Sequence, residues 1–85
     1  MYGKTYTTVE LICENNEMDA IIDRFGKSVE VCITDETHFK ATGEVSVNHL
    51  FFSWIFGFGG KVVINGPDEV KQKYREMVLK AAEDL

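Results

Sequence analysis

Several features that mark specialised protein classes are missing from this sequence. Its 85 residues include one proline, one tryptophan and two cysteines. No apolar run reaches the roughly 20 residues of a membrane-spanning helix, and the N-terminal stretch lacks the apolar region of a signal peptide. Two cysteines are too few for a disulfide-dense secreted scaffold. We therefore expect a cytoplasmic protein with no membrane partner, in which Cys13 and Cys32 are reduced thiols.

Basic charge is also scarce. Nine Lys and Arg residues stand against fourteen Asp and Glu residues, and the formal net charge is -5. The basic residues are dispersed, apart from a loose group at Lys71, Lys73 and Arg75. Binding to duplex DNA requires a basic stripe that neutralises phosphates. The sequence therefore predicts that this chain does not bind duplex DNA directly.

Residue patterns for catalysis or for a bound metal or cofactor are missing as well. His38 and His49 have no carboxylate or thiol at metal-ligand spacing. The glycines at 57, 59 and 60 follow a predicted helix and precede a strand, whereas phosphate binding uses the N-terminus of a helix. We therefore predict that the protein is not an enzyme and has no catalytic residues, no metal and no cofactor.

The hydrophobic pattern, in contrast, is informative. At this length the chain forms one domain, residues 1–85. Alternating apolar residues predict strands over residues 5–13, 28–34, 38–47 and 61–65. Helical periodicity and capping residues predict helices that begin at Asn15 or Asn16, at Asn48 and at Pro67. The element order is therefore β-α-β-β-α-β-α.

An internal repeat indicates how these elements pack. Residues 25–31, FGKSVEV, parallel residues 58–64, FGGKVVI, and each copy joins a helix end to a strand. Two such βαβ halves are typical of the α+β class with a ferredoxin-like β-α-β-β-α-β sandwich. We expect a four-stranded antiparallel sheet, two helices on one face and an additional C-terminal helix. Gly43, on the inner face of the third strand, predicts a bulge or a close helix approach.

The aromatic second helix supplies most of the predicted core and the first candidate interface. The predicted core residues, which pack between sheet and helices, are Phe25, Phe51, Trp54, Ile55 and Phe58. Phe52 and Phe56 lie four residues apart on the flank or outer side of the same helix. Either they contact the neighbouring or the C-terminal helix, or they form an interface with a second copy or another domain. Asp23 and Arg24, on the outer side of the first helix, are two further candidate interface residues.

Three motifs in this order carry a family resemblance. They are Ile22-Asp23-Arg24-Phe25-Gly26, Phe51-Phe52-x-Trp54-Ile55-x-x-Phe58-Gly59 and Pro67-x-x-Val70. With the predicted strands, they resemble the C-terminal extension (WCX) domain of WYL-domain-containing bacterial helix-turn-helix transcription regulators. The resemblance covers essentially the whole chain.

The resemblance implies a role that composition alone does not suggest. In such regulators a helix-turn-helix domain and a WYL domain precede the extension, and both are absent from this chain. Residues 1–3 would then mark the junction with the WYL domain. The implied function is a regulatory or oligomerisation domain that relays an effector or assembly state to a DNA-binding domain elsewhere. Its implied partners are a second copy and the WYL domain of the regulator.

A small-molecule effector-sensing ferredoxin-like domain is the alternative that the fold allows. It would need polar groups that converge on an apolar pocket. No such set is evident in the sequence.

Overall fold

The computed structural model describes residues 6–83 and 85. In chain order its elements are β1 (Thr7–Glu14), α1 (Met18–Phe25), β2 (Glu30–Ile33), β3 (His38–Val45), α2 (His49–Phe56), β4 (Val62–Gly66) and α3 (Asp68–Glu83). The predicted order is confirmed, with small shifts at the element ends. The predicted junction at residues 1–3, and Thr5 at the start of the first predicted strand, lie outside the described residues.

The four strands form one antiparallel sheet in the order β2-β3-β1-β4. β1 lies between β3 and β4, so that Leu11 is opposite Ala41 on one side and Ile64 on the other. β2 and β4 are therefore the two edge strands. This order, with α1 and α2 packed against one face, confirms the ferredoxin-like α+β fold.

One hydrophobic core lies between the sheet and the helices. Alternate strand residues point to the same face of a sheet, and the inward residues of β1 and β3 are almost completely buried. Phe51 and Ile55 of α2 are 0% and 1% exposed, as predicted. The other predicted core residues, Phe25, Trp54 and Phe58, are partly buried and pack against this core.

Gly43 of β3 allows α1 to approach the sheet closely. A Cβ atom at this position would lie 2.6 Å from Cδ1 of Phe25. The ring of Phe25 also makes an edge-on contact with Trp54, with ring centroids 6.0 Å apart. The close helix approach predicted from this glycine is therefore confirmed.

The start of α1 differs from the prediction. Neither Asn15 nor Asn16 caps the helix, because a 3₁₀ turn over Asn15–Glu17 precedes it. The Asn15 side chain instead donates a hydrogen bond to the carbonyl oxygen of Glu36, at 2.8 Å. This asparagine therefore ties the loop before α1 to the β2–β3 hairpin.

The first βαβ half is less covered than its apolar pattern suggested. Val31 and Ile33 take the inner face of β2, opposite Ala41 and Phe39, but they are 40% and 77% exposed. Ile22, four residues after Met18 and three before Phe25, shares their helical spacing, but it is also exposed. α1 has only eight residues and packs over β3 rather than over β2. Within the described chain Val31 is therefore only partly covered, and Ile33 is mostly in contact with solvent.

α3 lies on the helical side of the sheet, next to β4. Val70 is buried in the core, and Tyr74 packs against it. Val70, Tyr74, Met77, Val78, Ala81 and Leu85 recur at helical spacing, but the buried part of this apolar stripe ends near Val78, since Ala81 and Leu85 are exposed. No described helix is both long and apolar enough to cross a membrane.

Candidate functional site

An open groove runs between α3 and β4, and the last residue of α2 stands at its end. Its volume is about 870 Å³. We call this site the α3 groove. Its lining residues are Phe56, Gly59, Gly60, Val62, Val63, Ile64, Asp68, Lys71, Gln72, Tyr74, Arg75 and Val78.

The cap of α2 places Phe56 in the α3 groove. The Asn48 side chain caps α2, and its Oδ1 accepts hydrogen bonds from the backbone N–H groups of Leu50 and Phe51, at 2.9 and 3.1 Å. This start fixes the rotation of the helix and turns Phe51 and Ile55 into the core. Because α2 is apolar on nearly every side, one aromatic side chain is left over. Phe56 is 62% exposed, the more exposed of the two predicted interface aromatics.

Phe52 is not on the surface, which corrects its predicted position on the flank or outer side of α2. It is only 6% exposed, and its ring lies 5.4 Å from that of Tyr74, centroid to centroid. Of the two surroundings considered for Phe52, the structure therefore shows contact with the C-terminal helix. The interface role predicted for the pair is left to Phe56.

The glycines after α2 form one end of the groove. Gly59 and Gly60 have φ angles of 63° and 94°, a region that side-chain-bearing residues rarely adopt. The backbone N–H of Lys61 then donates to the carbonyl oxygen of Phe58 at 3.2 Å, which closes the turn. These glycines therefore form a tight helix-to-strand turn, which leaves the groove open at this end.

Two basic residues of α3 line the groove beside Phe56. Lys71 and Arg75 are four residues apart, so they lie one above the other on the same side of the helix. Burial raises the pKa of the Tyr74 phenol, which also lines the groove and stays neutral at neutral pH. Asp68 contributes one carboxylate to the lining. The α3 groove thus combines two cations, one carboxylate and a neutral hydroxyl with the apolar side chains of β4.

The sequence contains a signal for this site that net charge does not reveal. Lys71 and Arg75 belong to the loose basic group of α3. Their i, i+4 spacing on the same helix as Tyr74 and Val78 places them beside the apolar stripe of α3. What the spacing could not indicate is that Phe56, from a different helix, lines the same groove.

Asp23 and Arg24 lie elsewhere, on α1, and do not line the α3 groove. Both are exposed. The guanidinium carbon of Arg24 lies 5.6 Å from the centroid of the Trp54 ring, a cation–π distance. The predicted interface residues therefore fall in two places, Phe56 at the groove and the Asp23–Arg24 pair at the α1–α2 contact.

The remaining reactive side chains do not converge on the α3 groove. Cys13 is buried, and this burial, with a smaller contribution from Glu17, raises the pKa of its thiol to about 12. Cys32 is exposed on β2. His38 Nδ1 lies 3.2 Å from Oδ1 of Asp35, within the hairpin. Within the described part of the chain, no group of three or more His, Cys, Asp or Glu residues could hold a metal ion.

Comparison with known proteins gives one match. A family model described as "WCX domain" matches residues 6–82, which is nearly the whole chain. Neither the search of curated proteins nor the search of solved structures found a match.

Proposed function

This chain belongs to the WCX domain family, and from that premise we propose that it is a non-catalytic regulatory domain of a bacterial WYL-type transcription regulator. In this role it relays an effector or assembly state to a DNA-binding domain elsewhere in the regulator. It acts in the cytoplasm, and it does not itself bind duplex DNA or a membrane. Its partners are the WYL domain of the regulator and a second copy of the chain.

The observation that carries this proposal is the exposed Phe56 in the α3 groove. Other apolar residues of α2 that face the sheet are buried, so leaving this ring in water gives no benefit to the isolated domain. Aromatic and arginine side chains are the residue types most enriched at the energetic centres of protein interfaces. Phe56 and Arg75 line one groove together, and this surface fits a docking contact with the WYL domain.

The positive charge in the α3 groove favours a protein partner with carboxylates on its contact surface. The chain has a net charge of -5, yet Lys71 and Arg75 give the groove a locally positive side. Complementary charge speeds the encounter of two proteins and selects against partners of the wrong sign. We therefore assign carboxylates to the surface of the WYL domain that meets α3.

The proposal is tested with two substitutions on the same helix. Phe56→Asp places a charge in the α3 groove, whereas Leu50→Asp places the same charge at another exposed apolar position of α2, 67% exposed and outside the groove. We expect Phe56→Asp to weaken binding to the separately expressed WYL domain of the regulator by about thirtyfold, as loss of an interface hot spot does. Isothermal titration calorimetry measures both variants.

Leu50→Asp should bind like the unaltered chain. Equal affinity for both variants would show that the groove is not the contact. Arg75→Glu should mainly slow association and reduce its dependence on salt.

A second candidate function, effector sensing, is supported by the same cavity. Its volume falls within the range typical of small-molecule sites, about 300–1,000 Å³. Lys71, Gln72, Arg75 and Asp68 line it together with apolar residues of β4, so polar groups and apolar surface are available to a ligand in one cavity. An anionic ligand with an apolar or aromatic part would fit these groups.

A thermal-shift screen with nucleotides and short oligonucleotides tests the sensor role. A ligand of the α3 groove should raise the melting temperature of the unaltered chain and should lose this effect in Arg75→Glu. Absence of any shift at millimolar ligand would count against a sensor in this domain.

A further inference from the structure

The outer edge of β2 has main-chain groups available for pairing. The backbone N–H of Thr34 donates to the carbonyl oxygen of His38 at 3.2 Å. These residues continue the β2–β3 register, in which Cys32 is opposite Lys40. Main-chain groups of successive strand residues point alternately to either side. The N–H and C=O groups of Val31 and Ile33 therefore point away from β3, toward the open edge.

The side chains of this edge are apolar on the inner face. Val31 and Ile33 are 40% and 77% exposed, and among the described strands β2 pairs only with β3. Edge strands are commonly protected from pairing by a lysine, a proline, a bulge, a charged side chain or a very short length. β2 is short, with four residues, and carries one charge at Glu30, but it has no lysine and no proline, and its pairing with β3 is regular.

We propose that two copies of the chain pair through β2, antiparallel and about a two-fold axis, with Val31 opposite Val31 of the second copy. The two valines then exchange reciprocal N–H···O=C hydrogen bonds. Each Ile33 lies opposite Val29 of the other copy, so apolar residues meet on the inner face. The result is a continuous eight-stranded sheet.

Charge at the ends of β2 selects the antiparallel arrangement. Lys27 precedes the strand, and Asp35 and Glu36 follow it, all exposed. Lys27 lies in the 3₁₀ turn before β2 and Asp35 in the hairpin turn after it. Antiparallel pairing therefore brings the basic end of one strand toward the acidic end of the other, at both ends of the pair. Parallel pairing would place the acidic ends together. The hydrogen bonds that Asp35 accepts within its own turn are made to Oδ1, and its Oδ2 accepts none from the described residues.

The apolar pattern selects the register as well. Shifting the second copy by one step of the ladder places Cys32 opposite Cys32 and Val29 opposite Asp35. That register keeps two apolar pairs, Val31 with Ile33 twice. Pairing about Val31 gives three, Val31 with Val31 and Ile33 with Val29 twice.

This inference specifies the self-association in the proposed function and rests on it. A pair of short strands buries little area, so the contact is weak and reversible by itself. Within a regulator that is also held together at other domains, the second contact becomes intramolecular and correspondingly stronger. Its test concerns only the β2 edge, so its failure leaves the α3 groove unaffected.

A disulfide cross-link can trap the weak pair, and the positions at which it forms show which residues of the two β2 strands lie opposite each other. In the proposed register, Glu30 lies opposite Cys32 of the second copy in a non-hydrogen-bonded pair. The Cα atoms of such a pair are about 4.5 Å apart, within the range that a disulfide spans. A tagged Glu30→Cys/Cys32→Ser variant is mixed with the unaltered chain, and diamide is added to oxidise the thiols. The amount of disulfide-linked dimer that contains one chain of each kind is then measured on non-reducing gels. Cys13 does not compete, because its buried thiol is protonated.

The matched control is Glu44→Cys/Cys32→Ser, which makes the same change on the same face but within the inner strand β3. We expect the Glu30→Cys mixture to give at least about tenfold more mixed dimer than this control, because only an edge position can approach the second copy. Equal yields would mean random collision and would overturn the proposal. If two unaltered chains cross-link through Cys32 faster than the mixed pair does, Cys32 lies opposite Cys32, and the register about Val31 is wrong.

A surface substitution provides the second measurement. Val31→Lys in both chains brings two ammonium groups opposite each other, which is unfavourable. We expect the mixed dimer to fall by about fivefold, while the far-ultraviolet circular dichroism and melting temperature stay unchanged. Undiminished cross-linking in a folded Val31→Lys pair would contradict the proposed contact.

Discussion

The two edge strands carry similar β-branched residues but have opposite surroundings. In β4, Val62 and Ile64 are 2% and 7% exposed, whereas in β2 the corresponding inward residues, Val31 and Ile33, are 40% and 77% exposed. Both pairs alternate correctly, and both point to the helical side of their sheet. The difference therefore does not arise from the strands themselves.

The helices cause this difference. β4 is followed directly by α3, whose Val70 is buried beside it, and Phe52 of α2 packs on Tyr74 of the same helix. β2 has only the eight-residue α1 nearby, which makes its closest approach at Gly43 of β3. Strand alternation thus determines the face of a side chain, while coverage depends on which helix lies over it.

The largest effect should come from the covered half. Phe51→Ala removes a fully buried ring and leaves a cavity, so we expect the free energy of unfolding to fall by about 3–5 kcal/mol. Ile33→Ala removes an apolar side chain that is already mostly in water, and should cost at most about 0.5 kcal/mol. Urea unfolding followed by circular dichroism measures both.

These two variants test whether the β2 side of the sheet is less covered by helices than the β4 side. Measurements must be made at low micromolar concentration, so that pairing through β2 does not add to the stability. A loss near 2 kcal/mol for Ile33→Ala would mean that β2 is covered in solution by something outside the described residues.

A smaller effect is expected where α1 meets the sheet. Gly43→Ala places a methyl group 2.6 Å from the ring of Phe25, so either the ring or α1 must move. We expect a loss of about 1–3 kcal/mol, the usual cost of overpacking. Thermal unfolding of the variant, analysed at a common temperature, gives the value.

The double variant separates the clash from the general cost of changing this glycine. In a Phe25→Leu background the obstructing ring is gone, so Gly43→Ala should cost less, by about 1 kcal/mol or more. Equal costs in both backgrounds would show that α1 approaches β3 less closely than the structure indicates.

Sequence reasoning predicted the features that depend on local pattern. The element order follows from periodicity, and the repeat of Phe-Gly before a strand led to the ferredoxin-like fold. Gly43 predicted the close approach because a residue without a side chain on an inner strand face leaves room for a neighbour. The core positions of Phe51 and Ile55 followed from the helical wheel of α2.

The features that sequence reasoning missed depend on where α3 lies. Phe52 is buried because Tyr74 packs on it, and the α3 groove exists because Phe56 stands beside Lys71 and Arg75. Neither arrangement can be read from α2 alone, since the contacts join residues that are distant in sequence. The same holds for the exposure of Ile33, which reflects a helix that is absent from one side of the sheet.

The smallest effect concerns the turn that holds the uncovered edge strand. The pKa of Asp35 lies below its ordinary value of 3.8, first because the backbone N–H of Thr37 donates to its carboxylate, with a further bond from the Thr37 hydroxyl. A depressed pKa means that the stabilisation is present above the ordinary value and is lost as the pH falls through the lower, folded-state value. The acid limb of the stability curve should therefore include a small contribution from this carboxylate.

Asp35→Asn should remove that contribution while keeping an oxygen that can accept from Thr37 and His38. We expect a slightly lower free energy of unfolding near neutral pH and no difference from the unaltered chain in strong acid, measured by urea unfolding at a series of pH values. Asp23→Asn, an exposed carboxylate on α1, is the matched control. The same substitution should also reduce the E30C cross-link at neutral pH, because it loosens the hairpin that holds β2 and removes the charge that attracts Lys27 of the second copy. An unchanged cross-link would show that neither the turn nor this charge is needed for pairing through β2.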